Sequence, residues 1–362
     1  MSRVTVLDSL RGVAVIGILF MNIYYHALFE VGYSPLPTQP ISDLAIDVIN
    51  AVFIDGRFRT LFCLLFGVGL TILYDKHGRD NALPLLHSRL KWLLIFGVLH
   101  SVLIFSGDIL VNYALAGFLV YRELGNNQDV ILRKAKAYFV IGFAVLFVFS
   151  LIPTDPIYRG SEQYYEIVNE WQLGYGTQLI QQAVFTTIMF VFSLVCFVWV
   201  TAGIVLFGVY LYRDNFFREG LTKTQLTLTF AITLILSIID AVIRVTSPEL
   251  VELNMALATL SALFCALLYA HIIIKLVAKV QLFNVVFAPA GRMAFSLYIL
   301  QSIVFALFFR YIDVDFINQA TRMDYLYLCV VFSFVQLAFA FIYFRLFIVG
   351  PIEWLWRKAY SS

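Results

Sequence analysis

The chain has 362 residues, of which 61% are apolar and 13% charged, whereas an ordinary soluble domain has about 45–50% apolar and about 25% charged residues. It contains 35 Phe, 20 Tyr and 5 Trp, and its mean hydropathy is +0.87. One folded core cannot enclose that much apolar surface, so the composition predicts a membrane protein and excludes a soluble enzyme and a disordered chain. A net charge of +2 without a long basic tract also argues against nucleic-acid binding.

Apolar stretches predict about ten spans, because a helix that crosses a bilayer needs about 20 mostly apolar residues. The predicted spans are residues 10–29, 58–75, 88–106, 108–122, 135–152, 183–212, 224–244, 254–277, 289–310 and 325–348. The predicted fold class is therefore all-α, a polytopic membrane protein. Placing the N-terminus inside puts 19 of the 25 Lys and Arg residues in or beside inner loops. This asymmetry predicts that both termini are cytoplasmic.

Two segments on the predicted outer side are more than linkers. Apolar residues recur at helical spacing from Ile41 to Phe53, with Asp43, Asp47 and Asn50 off that face, which predicts a short helix in the outer interface. Residues 155–182 are acidic and rich in aromatic residues. This loop either caps a site that opens outward or anchors the chain at the membrane interface.

The first span carries a polar stripe. Arg11 and Asn22 lie three helical turns apart on one face, Asp8 lies one turn before Arg11, and His26 one turn beyond Asn22. Polar groups at membrane depth are costly and need partners or a watery cavity. The stripe is either one wall of a polar cavity, or an interfacial Asp8–Arg11 pair and an Asn satisfied by a neighbouring helix.

Further candidate residues lie in the second, third and fourth spans. Arg57 and Arg59 open the second span, where they either clamp an anionic group or extend to outer headgroups. His100 and Asp108 flank one predicted outer turn, and a histidine beside a carboxylate is the pattern of a general base and its orienting partner. Simple hydrogen bonding of a buried histidine is the alternative.

The ninth predicted span, which begins at Pro289, carries the last candidates. Arg292 and Ser296 are expected to stack at i, i+4, and Tyr298, Gln301 and Ser302 to form a second polar face. These groups either hold helices together or contact a ligand. The sequence has no Walker loop, HExxH, GxSxG or CxxCH motif and no metal-ligand cluster is predicted.

The ordered motifs resemble the YeiB-like bacterial membrane proteins that carry the domain of unknown function 418. The resemblance rests on residues 7–12 with Asn22, 56–62 with 65–69, 97–100, 107–110, 290–294 with Tyr298, and 350–357. It implies a multi-pass protein of the bacterial inner membrane, with an N-terminal transmembrane region at 1–210 and a C-terminal domain at 211–362.

The opening segment also resembles the wider transmembrane acyltransferase group, which passes acyl groups from an inner donor to an outer acceptor. In many of those enzymes an arginine is followed, after ten intervening residues, by histidine, whereas here Arg11 is followed by Asn22. The resemblance therefore implies that His26 or His100 serves as the base.

The leading hypothesis is an acyltransferase with one polar cavity lined by spans one to four and nine. Arg11 and Arg292 would hold an acyl-CoA-like donor, His100 and Asp108 would activate an acceptor, and Asn22 or Gln301 would stabilise the oxyanion. The expected partners are membrane lipids and a small-molecule, lipid or glycan acceptor, with a homodimer as one alternative for the oligomeric state. A transporter or lipid-handling protein, and a structural or signalling subunit, are the rival classes.

Overall fold

The computed structural model describes residues 3–152, 156–246 and 251–361, and all regular secondary structure in these ranges is helical. The all-α prediction is therefore confirmed. The helices are α1 (Arg3–Ala27), α2 (Ile41–Ile49), α3 (Arg57–Leu103), α4 (Leu110–Val120), α5 (Gln128–Phe149), α6 (Glu162–Gln172), α7 (Tyr175–Phe192), α8 (Val198–Arg213), α9 (Phe216–Glu219), α10 (Lys223–Thr246), α11 (Val251–Lys279), α12 (Gln281–Arg292), α13 (Ala294–Leu307), α14 (Phe316–Gln319), α15 (Arg322–Leu346) and α16 (Pro351–Ser361).

Within the described ranges, seven helical segments are long and apolar enough to cross a membrane. They are Thr5–Ala27, Ile41–Leu103, Tyr175–Arg213, Lys223–Thr246, Met255–Lys279, Ala294–Ile312 and Arg322–Leu346. The chain is thus a helical protein with several candidate spans, as its composition predicted.

The longest of these segments contains two of the predicted spans. Gly78 interrupts α3 with φ 69° and ψ 163°, a left-handed backbone that glycine adopts without steric cost. A Cβ on Gly69 would lie 4.0 Å from the Arg89 guanidinium, although a straight helix would separate these residues by about 30 Å. The chain therefore folds back at Gly78, and residues 57–77 and 79–103 form two packed helices.

The predicted spans at 108–122 and 135–152 correspond to α4 and α5. Helix α4 is 11 residues long, about 17 Å, and continues as a 3₁₀ turn over Tyr121–Gly125. This length is short of a bilayer core on its own. Helix α5 begins seven residues before the predicted span, and its early turns carry Arg133, Lys134 and Lys136.

The expectation that the ninth span begins at Pro289 is wrong. Pro289 and Gly291 lie in the second half of α12, and the chain breaks at Met293 (φ −121°, ψ 31°) before α13 begins. Arg292 and Ser296 therefore belong to different helices and do not stack at i, i+4. Proline has no N–H group, so it fits the first turn of a helix and also occurs where a helix is about to be interrupted. The sequence alone therefore does not show to which of the two helices Pro289 belongs.

Glycines allow α1 and α12 to cross at backbone contact. A Cβ on Gly291 would lie 1.7 Å from the Asp8 carbonyl oxygen, and one on Gly12 would lie 2.0 Å from that of Phe287. Small residues at such crossings let helix backbones approach closely. The crossing carries Arg11 and Arg292 to the same end of the helix bundle.

The two segments outside the spans differ in their packing. The segment predicted as a helix is helical, with α2 over Ile41–Ile49 followed by a π-helical turn over Asn50–Ile54. Asp43 is fully buried and accepts hydrogen bonds from Tyr33 and the Arg322 amide, while Ile41 and Leu44 are exposed. Burial and the Asp43 carboxylate raise the pKa of the Tyr33 hydroxyl. Ile41, Leu44 and Ile49 of α2 thus face outward from the bundle, whereas Ile46 packs into it.

Helix α6 covers the end of the bundle at which α1 finishes. Tyr164 donates to Ile317 O at 3.0 Å, and Trp171 Nε1 donates to the Glu30 carboxylate at 2.9 Å. Burial raises the pKa of Glu30 above its usual range. The buried aromatic residues of α6 act as packing groups over this end.

Candidate active site

A buried histidine–carboxylate pair lies where α3 turns into α4. His100 Nδ1 is 2.8 Å from Asp108 Oδ1, and both side chains are almost fully buried. Asp108 Oδ2 accepts the Val111 amide at 2.8 Å, while the Tyr298 hydroxyl accepts the Ile109 amide at 3.2 Å and lies 3.5 Å from Asp108 Oδ1. The turn between α3 and α4 and the distant helix α13 together thus fix the orientation of one imidazole ring.

Local sequence explains this arrangement. Helix α3 ends at Leu103, and the chain reverses over residues 104–109 before α4 begins. A Cβ on Gly97 would lie 2.8 Å from the Val111 amide nitrogen, so the missing side chain at Gly97 lets α4 approach α3. This approach brings Asp108 within hydrogen-bonding distance of His100, one helical turn beyond Gly97.

His26 lies beside this pair. Its ring centroid is 4.0 Å from that of Phe105, which is 6.3 Å from that of His100. Both ring nitrogens of His26 and Nε2 of His100 are buried without a hydrogen-bond partner. Buried polar atoms in native proteins almost always have a partner, so these nitrogens are available to a water or a ligand.

The two predicted donor-binding arginines lie near one another at the other end of α1. Arg11 pairs with Asp8 at 3.0 Å, and Arg292 follows the glycine that packs on the backbone of Asp8. Arg292 donates to Ile348 O at 3.0 Å and its guanidinium lies 3.9 Å from the centre of the Phe344 ring.

Arg89, one of the cations that lie in or beside a predicted inner loop, joins these two arginines. Arg11 Nη2 and Arg89 Nη2 lie 3.8 and 4.0 Å from the point where a Cβ on Gly69 would stand. The Arg89 guanidinium is stacked on Trp356 of α16 at 4.5 Å, and its Nε is buried without a partner. No signal local to Arg89 indicates this role, because the fold-back at Gly78 creates it.

Arg57 and Arg59 do not form a clamp. Arg57 is fully buried and donates to Ser261 Oγ at 3.0 Å, whereas the Arg59 guanidinium faces the Phe197 ring. Two residues apart on a helix, their side chains point to nearly opposite sides. An anion held by both is incompatible with these contacts.

The remaining candidates hold helices together or lack a partner. Ser296 donates to Glu353 and accepts the Ile352 amide, so it joins α13 to α16. Gln301 Nε2 donates to Val15 O at 3.0 Å and to Gln336 Oε1 at 2.9 Å. Asn22 Nδ2 is buried without a partner, so the expectation that a neighbouring helix satisfies Asn22 does not match its contacts.

The predicted residues therefore do not line a single chamber: six of them lie in two separate groups, the second completed by Arg89, and Asn22, Arg57, Arg59, Ser296 and Gln301 belong to neither. The first group, at the end of α1 near His26, is His26, His100, Asp108 and Tyr298, and the second is Arg11, Arg89 and Arg292. Arg11 and His26 are 15 residues apart on α1, about 22 Å. Two open surface depressions, one along Phe149 and Phe192 and the other along Asp313 and Asp324, contain none of these residues.

Comparison of the sequence with known proteins finds a matching family model and similar proteins. Residues 211–362 match a protein family of unknown function, DUF418. Over 99% of its length the chain is 28% identical to the Escherichia coli (strain K12) protein "Uncharacterized protein YeiB", covering 96% of it. It is 26% identical, again over 99% of the chain, to "Uncharacterized protein YxaH" of Bacillus subtilis (strain 168), covering 94% of it. The resemblance to YeiB-like proteins thus extends along the whole chain.

Proposed function

We propose that this protein is an integral-membrane acyltransferase that moves an acyl group from an acyl-CoA-like donor to an acceptor hydroxyl in the cell envelope. The observation that carries the proposal is the buried His100–Asp108 pair with a free Nε2 on His100. A histidine oriented by a carboxylate through one ring nitrogen, with the other nitrogen open, is suited to take a proton from a hydroxyl.

The hydrogen bonds around Asp108 favour the tautomer that a base requires. Asp108 accepts the Val111 amide through one oxygen and faces His100 through the other. An ionised carboxylate accepts only, so His100 Nδ1 carries the proton and Nε2 presents a lone pair.

The proposed reaction needs no further co-reactant. His100 Nε2 takes the proton of the acceptor hydroxyl, whose oxygen forms a bond to the thioester carbonyl carbon. The carbon–sulfur bond then breaks, and the proton on His100 passes to the leaving thiolate. Asn22, whose Nδ2 has no partner, is better placed than the hydrogen-bonded Gln301 to donate to the developing oxyanion.

The arginine group supports an anionic donor. Arg11, Arg89 and Arg292 converge from three elements, and Asp8 is the only carboxylate paired with them in the described part of the chain. Arginine is well suited to phosphate binding. A donor with its phosphates there would need an arm of about 22 Å to bring its thioester to His100.

Replacement of Gly69 by leucine is expected to raise the KM for the acyl donor at least 10-fold, because the side chain would fill the space between Arg11 and Arg89. Gly69→Ala is the matched control: its Cβ meets both guanidinium groups at ordinary contact distance, so a change below about twofold is expected. Steady-state kinetics against donor concentration measure both variants. Equal KM values for Gly69→Leu and the parent protein would show that the donor does not bind at this position.

For the topology, we propose ten bilayer crossings with cytoplasmic termini in the bacterial inner membrane. In that arrangement α4 and α5 cross in addition to the apolar segments, and the two halves of α3 cross separately. The cation asymmetry supports it, and it places the arginine group inside and His100 toward the outside.

Acyl transfer is tested with purified protein in proteoliposomes, labelled acetyl-CoA and envelope extract. The parent protein is expected to label an acceptor, and His100→Gln to do so at least 100-fold more slowly. Equal labelling by His100→Gln would contradict the proposal. Uptake of a solute without any covalent product would instead indicate a transporter.

A further inference from the structure

Several unpartnered polar atoms lie next to Phe105. Besides both nitrogens of His26 and Nε2 of His100, the Ser106 hydroxyl is buried without a partner. These three residues are at most 3% exposed. Buried polar atoms in native proteins almost always have a hydrogen-bond partner, so the group of unpaired atoms next to Phe105 is suited to bind a water or a ligand.

Helix α7 contributes another such residue to the same end of the bundle. Gln182 is fully buried, and both its amide oxygen and its amide nitrogen are unpartnered. It lies one turn before Thr186, which hydrogen-bonds Ser101 Oγ at 2.8 Å, and one turn after Gln178, which accepts the Tyr311 hydroxyl at 3.1 Å. The face of α7 that carries Gln182 therefore packs on the segment that follows His100.

Aromatic contacts connect this face to His26. Phe185 of α7 contacts Phe29 with ring centroids 5.4 Å apart, and Phe29 contacts Phe105 at 6.1 Å. Phe105 lies directly against His26. Gln182 thus belongs to the same layer as the two histidines, although its span carries none of the motifs recognised in the sequence.

The chemistry of this group indicates an uncharged ligand rich in hydroxyl groups. The free atoms comprise donors and acceptors from neutral imidazole, amide and hydroxyl groups. The charged residues of these segments are already occupied: Asp108 by His100 and Val111, and Arg310 by Ile104 O and the Trp171 ring. A charged ligand would lack a counterion, while a sugar ring would match the mixed donors and acceptors and stack on an aromatic face.

We propose that Gln182 and His26 form the binding site for a sugar or polyol, which is the acceptor of the transfer reaction. The role of this sugar as the acceptor rests on the proposed function, whereas the existence of the binding site does not. The sugar would lie against Phe105 with one hydroxyl directed at His100 Nε2. A free sugar and a glycolipid headgroup have the same chemistry and are distinguished by the experiment.

The test measures ligand-induced thermal stabilisation of the full-length protein without any acyl donor. The probes are D-glucose and N-acetyl-D-glucosamine in solution, and monoglucosyl-diacylglycerol in lipid nanodiscs. At least one probe is expected to raise the Tm of the parent protein, with glycolipid-only stabilisation indicating a headgroup. Gln182→Leu is expected to weaken binding of that probe at least 10-fold. Its Tm without ligand should be equal or higher, because an unpaired buried amide has been removed.

Gln181→Leu is the matched control. Gln181 is the adjacent glutamine and its Oε1 also has no partner, but its amide nitrogen donates to Glu170 and it lies about 100° around the helix from Gln182, so binding should change less than twofold. The proposal is overturned if no probe stabilises the parent protein, or if Gln182→Leu binds as tightly as the parent. A lower Tm of unliganded Gln182→Leu with unchanged binding would assign Gln182 a structural role. The binding assay contains no acyl donor and is independent of the transfer assay. If sugar binding is intact but acyl transfer fails, only the proposed reaction is refuted.

Discussion

Asp108→Asn is expected to lower the rate of acyl transfer by about 10³–10⁴-fold and to leave the protein folded. The amide oxygen can still accept the Val111 amide, which Asp108 Oδ2 accepts at 2.8 Å, so the turn into α4 is kept. The amide nitrogen would then face His100 Nδ1 and donate to it, which moves the imidazole proton to Nε2. A base with a protonated Nε2 cannot accept the hydroxyl proton, and an analogous exchange in serine proteases has an effect of this size.

The double variant Asp108→Asn, His100→Gln provides the control for this prediction. When two residues act as one unit, the losses of rate caused by replacing each of them are far from additive. The rate of the double variant should therefore be at most about threefold lower than that of the slower single variant. Turnover of labelled acetyl-CoA and the Tm of each protein are the measurements. A loss equal to the product of the two single losses would show that the pair does not act together.

Gly291→Ala is expected to destabilise the protein by more than about 3 kcal/mol, at the upper end of ordinary overpacking. The added methyl group would stand 1.7 Å from the carbonyl oxygen of Asp8, and both partners are helix backbone that cannot rotate away. Helices α1 and α12 would have to separate, which also moves Arg292 away from Arg11. The fraction of monodisperse protein after detergent extraction and its Tm measure the effect.

Gly176→Ala is the matched control, because a Cβ at this helical position meets no atom within 4 Å. Its Tm should equal that of the parent or exceed it slightly, since alanine is the better helix former. If Gly291→Ala is as stable as Gly176→Ala, α1 and α12 do not cross at this residue.

Apolar stretches in the sequence predict the long helices, whereas the helix breaks are harder to place. The fold-back at Gly78 was anticipated as a loop between two apolar stretches, because charged residues interrupt the hydrophobic pattern there. The break at Met293 was predicted four residues too early, because Pro289, which suits a helix start, lies in the last turn of α12. The helix α12 was missed because its sequence is neither apolar enough for a span nor polar enough for a loop.

For the site, the sequence identified His100 and Asp108 as a pair because eight residues separate them across one turn. It also named Tyr298 and His26, but it gave no indication of Arg89 or Gln182. Arg57 and Ser296 were candidates by residue type alone, and their contacts with Ser261 and Glu353 connect helices. Polar residues are rare in membrane spans and usually have a structural or functional role. The residue type alone, however, does not indicate which residue the side chain contacts.

The sequence by itself determined that this chain is helical, apolar and rich in candidate spans, because composition and the 3.6-residue period are local properties. Only the tertiary structure decided that the polar residues form two groups at opposite ends of α1. Contacts such as Asp8 with Gly291, or Tyr298 with Asp108, join residues roughly 190 to 280 positions apart. No local pattern encodes such contacts, since they depend on which helices pack together and on where glycines let their backbones meet.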